Sequence, residues 1–237
     1  MVSFILVQIP NIKLDGERIK EKLSIYKDEN ELKSGFPETV ISIDDVVAFD
    51  FAFEKLVEHE VLDVNNVKKL PIKVIERVPV IFAGDVLAIG KCKKEVEEKV
   101  VEFIERNLIN NFKLERIEFD QNTLRTVVET ASDVLQVNIT PRKRGHGYPD
   151  QLKIIGRRVT ETKVWEDYGD EPLERIKIII PEFSEEVRVS FCKRGEITIY
   201  NKSLPVEIRL IVIKYIVENI VRPYISRIFQ STLMGWY

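Results

Sequence analysis

The residues from Thr140 to Arg158, TPRKRGHGYPDQLKIIGRR, concentrate positive charge in one short segment of the chain. The segment holds six Lys and Arg residues, and Asp150 is its only acid. Gly145 and Gly147 let the backbone approach a ligand closely, and Tyr148 offers a ring that can stack on a base or sugar. Lysine and arginine bind phosphates of any nucleic-acid sequence, and arginine adds bidentate hydrogen bonds. The segment therefore predicts a nucleic-acid-binding site.

The predicted contacts combine the cations of this basic segment with its histidine and tyrosine. They are Arg142, Lys143, Arg144, His146, Tyr148, Lys153, Arg157 and Arg158. The alternative interpretation is a solvated loop with nothing bound, because many charge runs serve only solvation. The sequence does not distinguish RNA from DNA.

The same stretch formally satisfies a second pattern, Pro-Asp followed by Glu-x-Lys, which is typical of metal-dependent nucleases. Asp150 and Glu161 would hold Mg²⁺, and Lys163 would stabilise charge at the scissile phosphate. That nuclease core places its Glu-x-Lys on a buried apolar strand, whereas VTETKVW reads as a half-polar strand. In a chain rich in Glu and Lys the triplet arises easily by chance, so a catalytic role is not expected.

The net charge, the cysteines and the apolar stretches of the chain exclude several classes of function. The net charge of −3 excludes binding of nucleic acid over the whole surface, so any such binding must be local. Cys92 and Cys192 lack Cys-x-x-Cys spacing and read as reduced thiols, so no metal, disulfide or cofactor is predicted. No stretch is long and apolar enough to predict a membrane helix. Abundant Lys, Glu, Ile and Val suggest a heat-adapted, archaeal source. The two reduced cysteines predict a cytoplasmic protein, and no membrane contact is expected.

Apolar periodicity predicts the elements of the first half of the chain. ETVISIDDVVAFDFAFEKLVEHEV is interpreted as a short strand followed by a helix capped by Asp44 or Asp45. A Gly-Asp turn predicts a hairpin of Val78–Phe82 and Val86–Ile89. KKEVEEKVVEFIERNL shows the clearest helical stripe.

In the second half, Asp120 or Asn122 is expected to cap another helix. Strands are predicted at KLERIEF, LQVNITPR, LKIIGRRVT, RIKIIIP, EEVRVSF and GEITIYN. Ser203 is expected to cap a long helix from Val206 to Val221, which Pro223 would end or kink.

These elements predict an α+β fold with mainly antiparallel sheets and packed helices. The order strand–strand–helix occurs twice, through Pro79–Leu108 and Glu186–Val221, which suggests a loose duplication or coincidence. Three regions are predicted: an N-terminal α/β region over 1–110, a strand-rich region with the basic loop over 111–202, and a helical segment over 203–237.

The end of the sequence, RPYISRIFQSTLMGWY, is unusually apolar and aromatic. Large apolar side chains of this kind are enriched at the centres of interfaces. We expect the tail either to fold back on the chain or to dock on a partner chain, with Ile228, Phe229, Met234 and Trp236 as the interface residues.

Taken together, these features resemble the N, L1 and L2 region of a split prokaryotic Argonaute, a separate chain that partners a short Argonaute. The resemblance lies in length, in α+β pieces joined by strand-rich linkers, and in the basic loop PRKRGHGY, and no diagnostic motif carries it. It implies a non-catalytic accessory subunit of a heterodimer, with the basic loop on the backbone of a guide–target duplex. A stand-alone nucleic-acid-binding regulator and the nuclease remain the alternatives.

Overall fold

Alternation of apolar and polar residues makes most of this chain form antiparallel strands, and a few amphipathic segments form helices. A computed structural model describes residues 1–9, 25–27, 33–35, 40–63, 66–108, 113–142, 149–181, 183, 185–201 and 203–225. The α+β prediction is confirmed, and the strand pairs within each unit described below are antiparallel.

The strands, in chain order, are β1 Val2–Gln8, β2 Ile25–Lys27, β3 Lys33–Gly35, β4 Val40–Ile43, β5 Val46–Asp63, β6 Asn66–Ala83, β7 Val86–Gly90, β8 Glu115–Arg116, β9 Asp133–Ile139, β10 Leu152–Ile155, β11 Leu173–Ile180, β12 Val187–Cys192 and β13 Glu196–Ile199. The α-helices are α1 Lys94–Asn107, α2 Gln121–Thr130, α3 Lys163–Tyr168 and α4 Val206–Ile216. A 3₁₀-helix spans Val159–Glu161.

The described residues form two compact units. The first unit comprises Met1–Gln8 and the described residues from Glu115 onward, and the second comprises those from Ile9 to Leu114.

The sheet of the first unit has the strand order β10-β9-β11-β12-β13-β1, with β8 also paired to β1. Helix α2 packs on β11. Phe191 of β12 contacts Phe119 at a centroid distance of 6.0 Å, and Phe119 contacts Tyr224, which follows α4, at 6.5 Å. Both helices therefore cover the sheet face that carries Phe191, and this face forms the apolar core.

In the second unit, β7, β6, β5, β3 and β2 lie in that order, and β4 pairs with the start of β5. Strands β5 and β6 form one hairpin of eighteen residues each, paired from Val46↔Ala83 to Asp63↔Asn66. The hairpin predicted between Val78 and Ile89 is confirmed as the pairing of β6 with β7. The helix predicted at KKEVEEKVVEFIERNL is α1, and Phe103 in it contacts Phe51 of β5.

The helix predicted after Asp44 and Asp45 is wrong, because these residues form the turn between β4 and β5. Asp44 has a φ of 52°, a left-handed conformation that Asp tolerates better than most residues. Phe49, Phe51 and Phe53 recur at a spacing of two, so they share one face of a strand. Pairing with β6 along its whole length fixes this segment as β5.

Two helix-end predictions also need correction, while a third is confirmed. Asp120 caps α2, since its side chain accepts a hydrogen bond from the Thr123 N–H at 2.7 Å. Ser203 does not cap α4, which begins at Val206 directly after Pro205. Of the two alternatives for Pro223, an end of the helix is wrong, because a π-helical turn at Val217–Val221 precedes it and helical residues continue to Ile225; a kink stays a prediction.

The remaining predicted strands are present with changed bounds: β11 begins two residues before RIKIIIP, and the others are shorter than predicted. KLERIEF contributes only β8, and LKIIGRRVT forms β10 followed by the 3₁₀-helix. The strand–strand–helix order recurs as β6-β7-α1 and β12-β13-α4. A duplication behind this recurrence stays a prediction.

Candidate nucleic-acid interface

The pairing register of the first unit sorts its side chains onto two faces of the sheet. Directly opposed residues of antiparallel strands share a face, and successive residues alternate. One row joins Ile154, Val137, Ile176, Phe191 and Ile197. This row belongs to the apolar face beneath the helices.

The opposite face is polar from β10 to β13. Its first row joins Lys153, Asn138, Arg175, Cys192 and Glu196 across five strands. The second row joins Ile155, Gln136, Lys177, Ser190 and Thr198 across the same strands. Two residue pairs further along, on the same face, Ile179 lies opposite Arg188. We call this surface the polar sheet face.

One part of the polar sheet face is buried, and the other part is accessible to solvent. Ser190 and Thr198 are only 1% and 2% exposed, and the Ser190 hydroxyl accepts a hydrogen bond from Tyr200 at 3.5 Å. Lys177 places its Nζ 3.8 Å from the centroid of the Tyr200 ring. Lys153 is exposed, and Arg175 and Lys177 are half-buried. The accessible side is therefore the one formed by β10, β9 and β11, next to the basic segment.

In three ion pairs on or beside the polar sheet face, the arginine is more exposed than its carboxylate partner. Arg142 is 75% exposed against 25% for its partner Glu171, and Arg157 is 67% exposed against 13% for its partner Asp133. Arg175 likewise lies further out than Glu196, at a distance of 3.8 Å between the charged groups. Because a guanidinium has five donors, each pair leaves N–H groups that face solvent.

The far end of the polar sheet face carries a small charge network. Glu186 accepts hydrogen bonds from Arg188 at 3.1 Å and from Arg157 at 3.2 and 3.3 Å. The Arg188 hydrogen bond, together with the nearby charge of Arg157, holds the pKa of Glu186 below its usual range. Two guanidinium groups thus share the Glu186 carboxylate, and Arg157 also pairs with Asp133.

The cations of the polar sheet face also follow a regular spacing. Arg175 and Lys177 are two residues apart on one strand, which corresponds to about 7 Å. Arg188 lies one strand away and two residues further along than Lys177, which corresponds to about 8 Å. Three cations therefore lie on this face at separations of about 7 and 8 Å.

The structure brings together part of the predicted site. Three of the predicted residues lie on the polar sheet face or border it, namely Arg142, Lys153 and Arg157. Arg158 has a φ of 51°, donates its backbone N–H to Asp133 Oδ1 at 2.7 Å, and directs its guanidinium to Glu161 at 3.6 Å. Lys143, Arg144, His146 and Tyr148 lie outside the described residues, as do the tail residues Ile228, Phe229, Met234 and Trp236.

Sequence reasoning missed Arg175, Lys177, Arg188 and Tyr200. The available signal was the alternation of Arg175 and Lys177 with Ile176 and Ile178, which assigns the two cations to one face of a strand. Their alignment with Lys153 depends on pairing between strands that are distant in sequence.

The Pro-Asp and Glu-x-Lys pattern does not adopt the arrangement that it predicts. Glu161 ends the 3₁₀-helix and Lys163 begins α3, so the strand expected for VTETKVW is wrong. Thr162 lies between them and caps α3, which is why the segment turns helical. Across the part of the chain that the structure describes, no three His, Cys, Asp or Glu side chains gather in a metal-binding group.

Comparison with models of known protein families finds no match, and comparison with curated proteins finds none either. Within the described residues, no helix has the length and apolar character needed to cross a membrane.

Proposed function

We propose that this chain is a non-catalytic nucleic-acid-binding subunit that holds a sugar–phosphate backbone on the polar sheet face and the adjoining basic segment. The observation that carries the proposal is the arrangement of the ion pairs, in which guanidinium groups lie outside and carboxylates beneath. Such a surface attracts phosphates although the whole chain is slightly acidic.

The sequence resemblance extends this proposal to a cellular role. The chain would act in the cytoplasm as the partner of a short Argonaute and contact the backbone of a guide–target duplex. Both cysteines are free thiols, which supports a reducing compartment. The apolar tail with Phe229 and Trp236 would supply contacts to the partner chain.

The proposal predicts that charge on the polar sheet face sets the salt dependence of binding. The double variant Arg175→Ala/Lys177→Ala should bind both RNA and DNA more weakly. Its log–log salt slope should be smaller by up to about two units, because each lost phosphate contact removes about one. Filter binding of single strands and duplexes across a salt series measures this slope.

Lys69→Ala/Lys73→Ala is the matched control, since it removes the same charge from exposed positions of β6. It should leave the slope unchanged. A triple variant, Arg142→Ala/Lys143→Ala/Arg144→Ala, tests the basic segment separately. Equal slopes for the wild type and both test variants would contradict the proposal.

A further inference from the structure

The outer part of the β5–β6 hairpin is a two-stranded ribbon with exposed apolar side chains. We call it the arm and define it as 54–63 of β5 paired with 66–75 of β6. Among the described residues, six of the eleven exposed large apolar side chains lie on it. They are Leu56, Val61, Val67, Leu70, Ile72 and Ile75. Two strands alone bury little, so such a ribbon is only marginally stable by itself.

The two faces of the arm differ in composition. Between the pairs Lys55↔Val74 and Val61↔Lys68, one face carries five aliphatic residues, one histidine, two lysines and no acid. Its aliphatic residues are Val57, Val61, Leu70, Ile72 and Val74. Between Glu54↔Ile75 and Glu60↔Lys69, the opposite face carries five charged residues among eight. The first face, which we call the apolar stripe, is therefore the one with a continuous apolar surface.

The apolar stripe continues a surface that the chain itself covers with a helix. Phe51 and Phe53 lie on the same face nearer the base of the hairpin, because they are four and two residues before Lys55. There Phe51 packs edge-on against Phe103 of α1, with 5.7 Å between the ring centroids. A groove of about 400 Å³ remains between Phe53 and the end of α1 at Asn107. Beyond this groove the described helix layer stops and the apolar stripe begins.

The dimensions of the apolar stripe fit one more helix. Seven residue pairs span about 20 Å, and a helix of about fourteen residues has that length. Helix α1 has 14 residues. A helix diameter of about 10 Å covers both strands, whose axes are about 5 Å apart.

The small area argues against a second copy as the occupant. A stripe of about 20 by 10 Å offers about 200 Å² per partner, far below the roughly 800 Å² of a standard interface. A symmetric dimer held by this face alone would not be stable.

From these observations we infer that the apolar stripe of the arm is a docking site for an amphipathic helix of a different protein. The docked helix extends the layer that α1 begins and buries Leu70 and Ile72. This inference does not depend on nucleic-acid binding.

The test uses a peptide with the sequence of α1, KEVEEKVVEFIERN, as the probe. A lactam bridge between its first lysine and the glutamate four residues later holds it helical, since Lys94 and Glu98 are exposed in α1. Fluorescence anisotropy of the labelled peptide with the full chain should show submillimolar binding. A peptide of the same composition with its apolar residues spread around the helix should bind at least tenfold more weakly.

Leu70→Glu and Leu56→Glu form a matched pair, because Leu70 and Leu56 are 49% and 55% exposed on opposite faces of the arm. Leu70→Glu should weaken peptide binding at least tenfold, whereas Leu56→Glu should change it less than twofold. Melting curves of both variants should match the wild type, since neither side chain is buried.

Several results would overturn the inference. They are no binding at millimolar peptide, equal loss in both variants, or equal binding of the two peptides. Sedimentation that shows a dimer in the wild type and a monomer in Leu70→Glu would assign the stripe to a second copy. Leu70-dependent binding to phosphatidylcholine–phosphatidylglycerol vesicles would assign it to a lipid surface.

Discussion

At Gly195 the turn between β12 and β13 leaves no room for a side chain. Its φ is +74°, and a Cβ added there would lie 1.6 Å from the carbonyl oxygen of Ile117. Gly195→Ala would therefore force the backbone apart in addition to the cost of the left-handed conformation. We expect a loss of at least about 3 kcal/mol in the free energy of unfolding, measured by urea denaturation.

Gly156 supplies the control for this prediction. A Cβ there meets nothing within 4 Å, and its φ is not in the left-handed region. Gly156→Ala should change stability by less than about 1 kcal/mol, and in the stabilising direction. Similar destabilisation by both substitutions would contradict the steric argument.

The thiol of Cys92 should react slowly at neutral pH. Burial, with a smaller contribution from the charge of Glu97, raises its pKa to about 11. Only the thiolate is nucleophilic, so the alkylation rate should keep rising with pH up to about 11. Iodoacetamide labelling of the Cys192→Ser variant measures this profile. In the same variant unfolded in urea, the rate should reach half of its maximum near the ordinary cysteine pKa of about 9, and identical profiles would refute the prediction.

The charge partners of the basic residues could not be predicted from the sequence. Arg157 contacts Asp133 and Glu186, which lie 24 residues before it and 29 after it. Sequence analysis identified the concentration of cations, because that signal is local. It could not identify the carboxylates beneath them, because strand pairing alone brings those residues close.

At the scale of elements, the sequence predicts a helix or a helix cap correctly where residues close in sequence determine it. The stripe of α1 and the cap of α2 are examples, since both depend on residues within one or two turns. The sequence of β5 was interpreted as a helix. The charged and aliphatic residues of its outer half fit both the helical period of about 3.6 residues and the strand period of two. Its eighteen cross-strand pairs with β6 decide the outcome, and the sequence does not reveal them.

The cap of α2 gives a prediction at this scale. Asp120 accepts hydrogen bonds from both the backbone N–H and the hydroxyl of Thr123, each at 2.7 Å. Asp120→Ala should lower the free energy of unfolding by about 0.5–2 kcal/mol, and Asp120→Asn should retain most of it. Thermal denaturation of the two variants compares them. An equal loss in both would show that the cap itself contributes little.

At the scale of the whole molecule, the second unit is an insertion into the first. The first unit uses Met1–Gln8 and then resumes at Glu115. Gln8 and Glu115 are directly paired between β1 and β8, so the chain leaves and re-enters the first unit at neighbouring positions. The regions expected from composition, 1–110 and 111–202, do not assign β1 to the strands after residue 114, because that link arises only from pairing.

This topology predicts that the first unit folds without the second. Residues 9–114 can be replaced by Asn-Gly, a two-residue turn that joins paired antiparallel strands, so that Gln8 connects through the turn to Glu115. The shortened chain should unfold cooperatively and keep the salt-dependent nucleic-acid binding of the full chain. It should lose binding of the α1 peptide, because the arm is gone.

The control is the fragment from Glu115 onward, which lacks the buried Phe4, Ile5 and Leu6 of β1 and leaves β13 without that neighbour. Burying such side chains contributes about 1.5–3 kcal/mol each, so this fragment should be largely unfolded by circular dichroism. A folded fragment, or an unfolded Asn-Gly chain, would refute the assignment of β1 to the first unit.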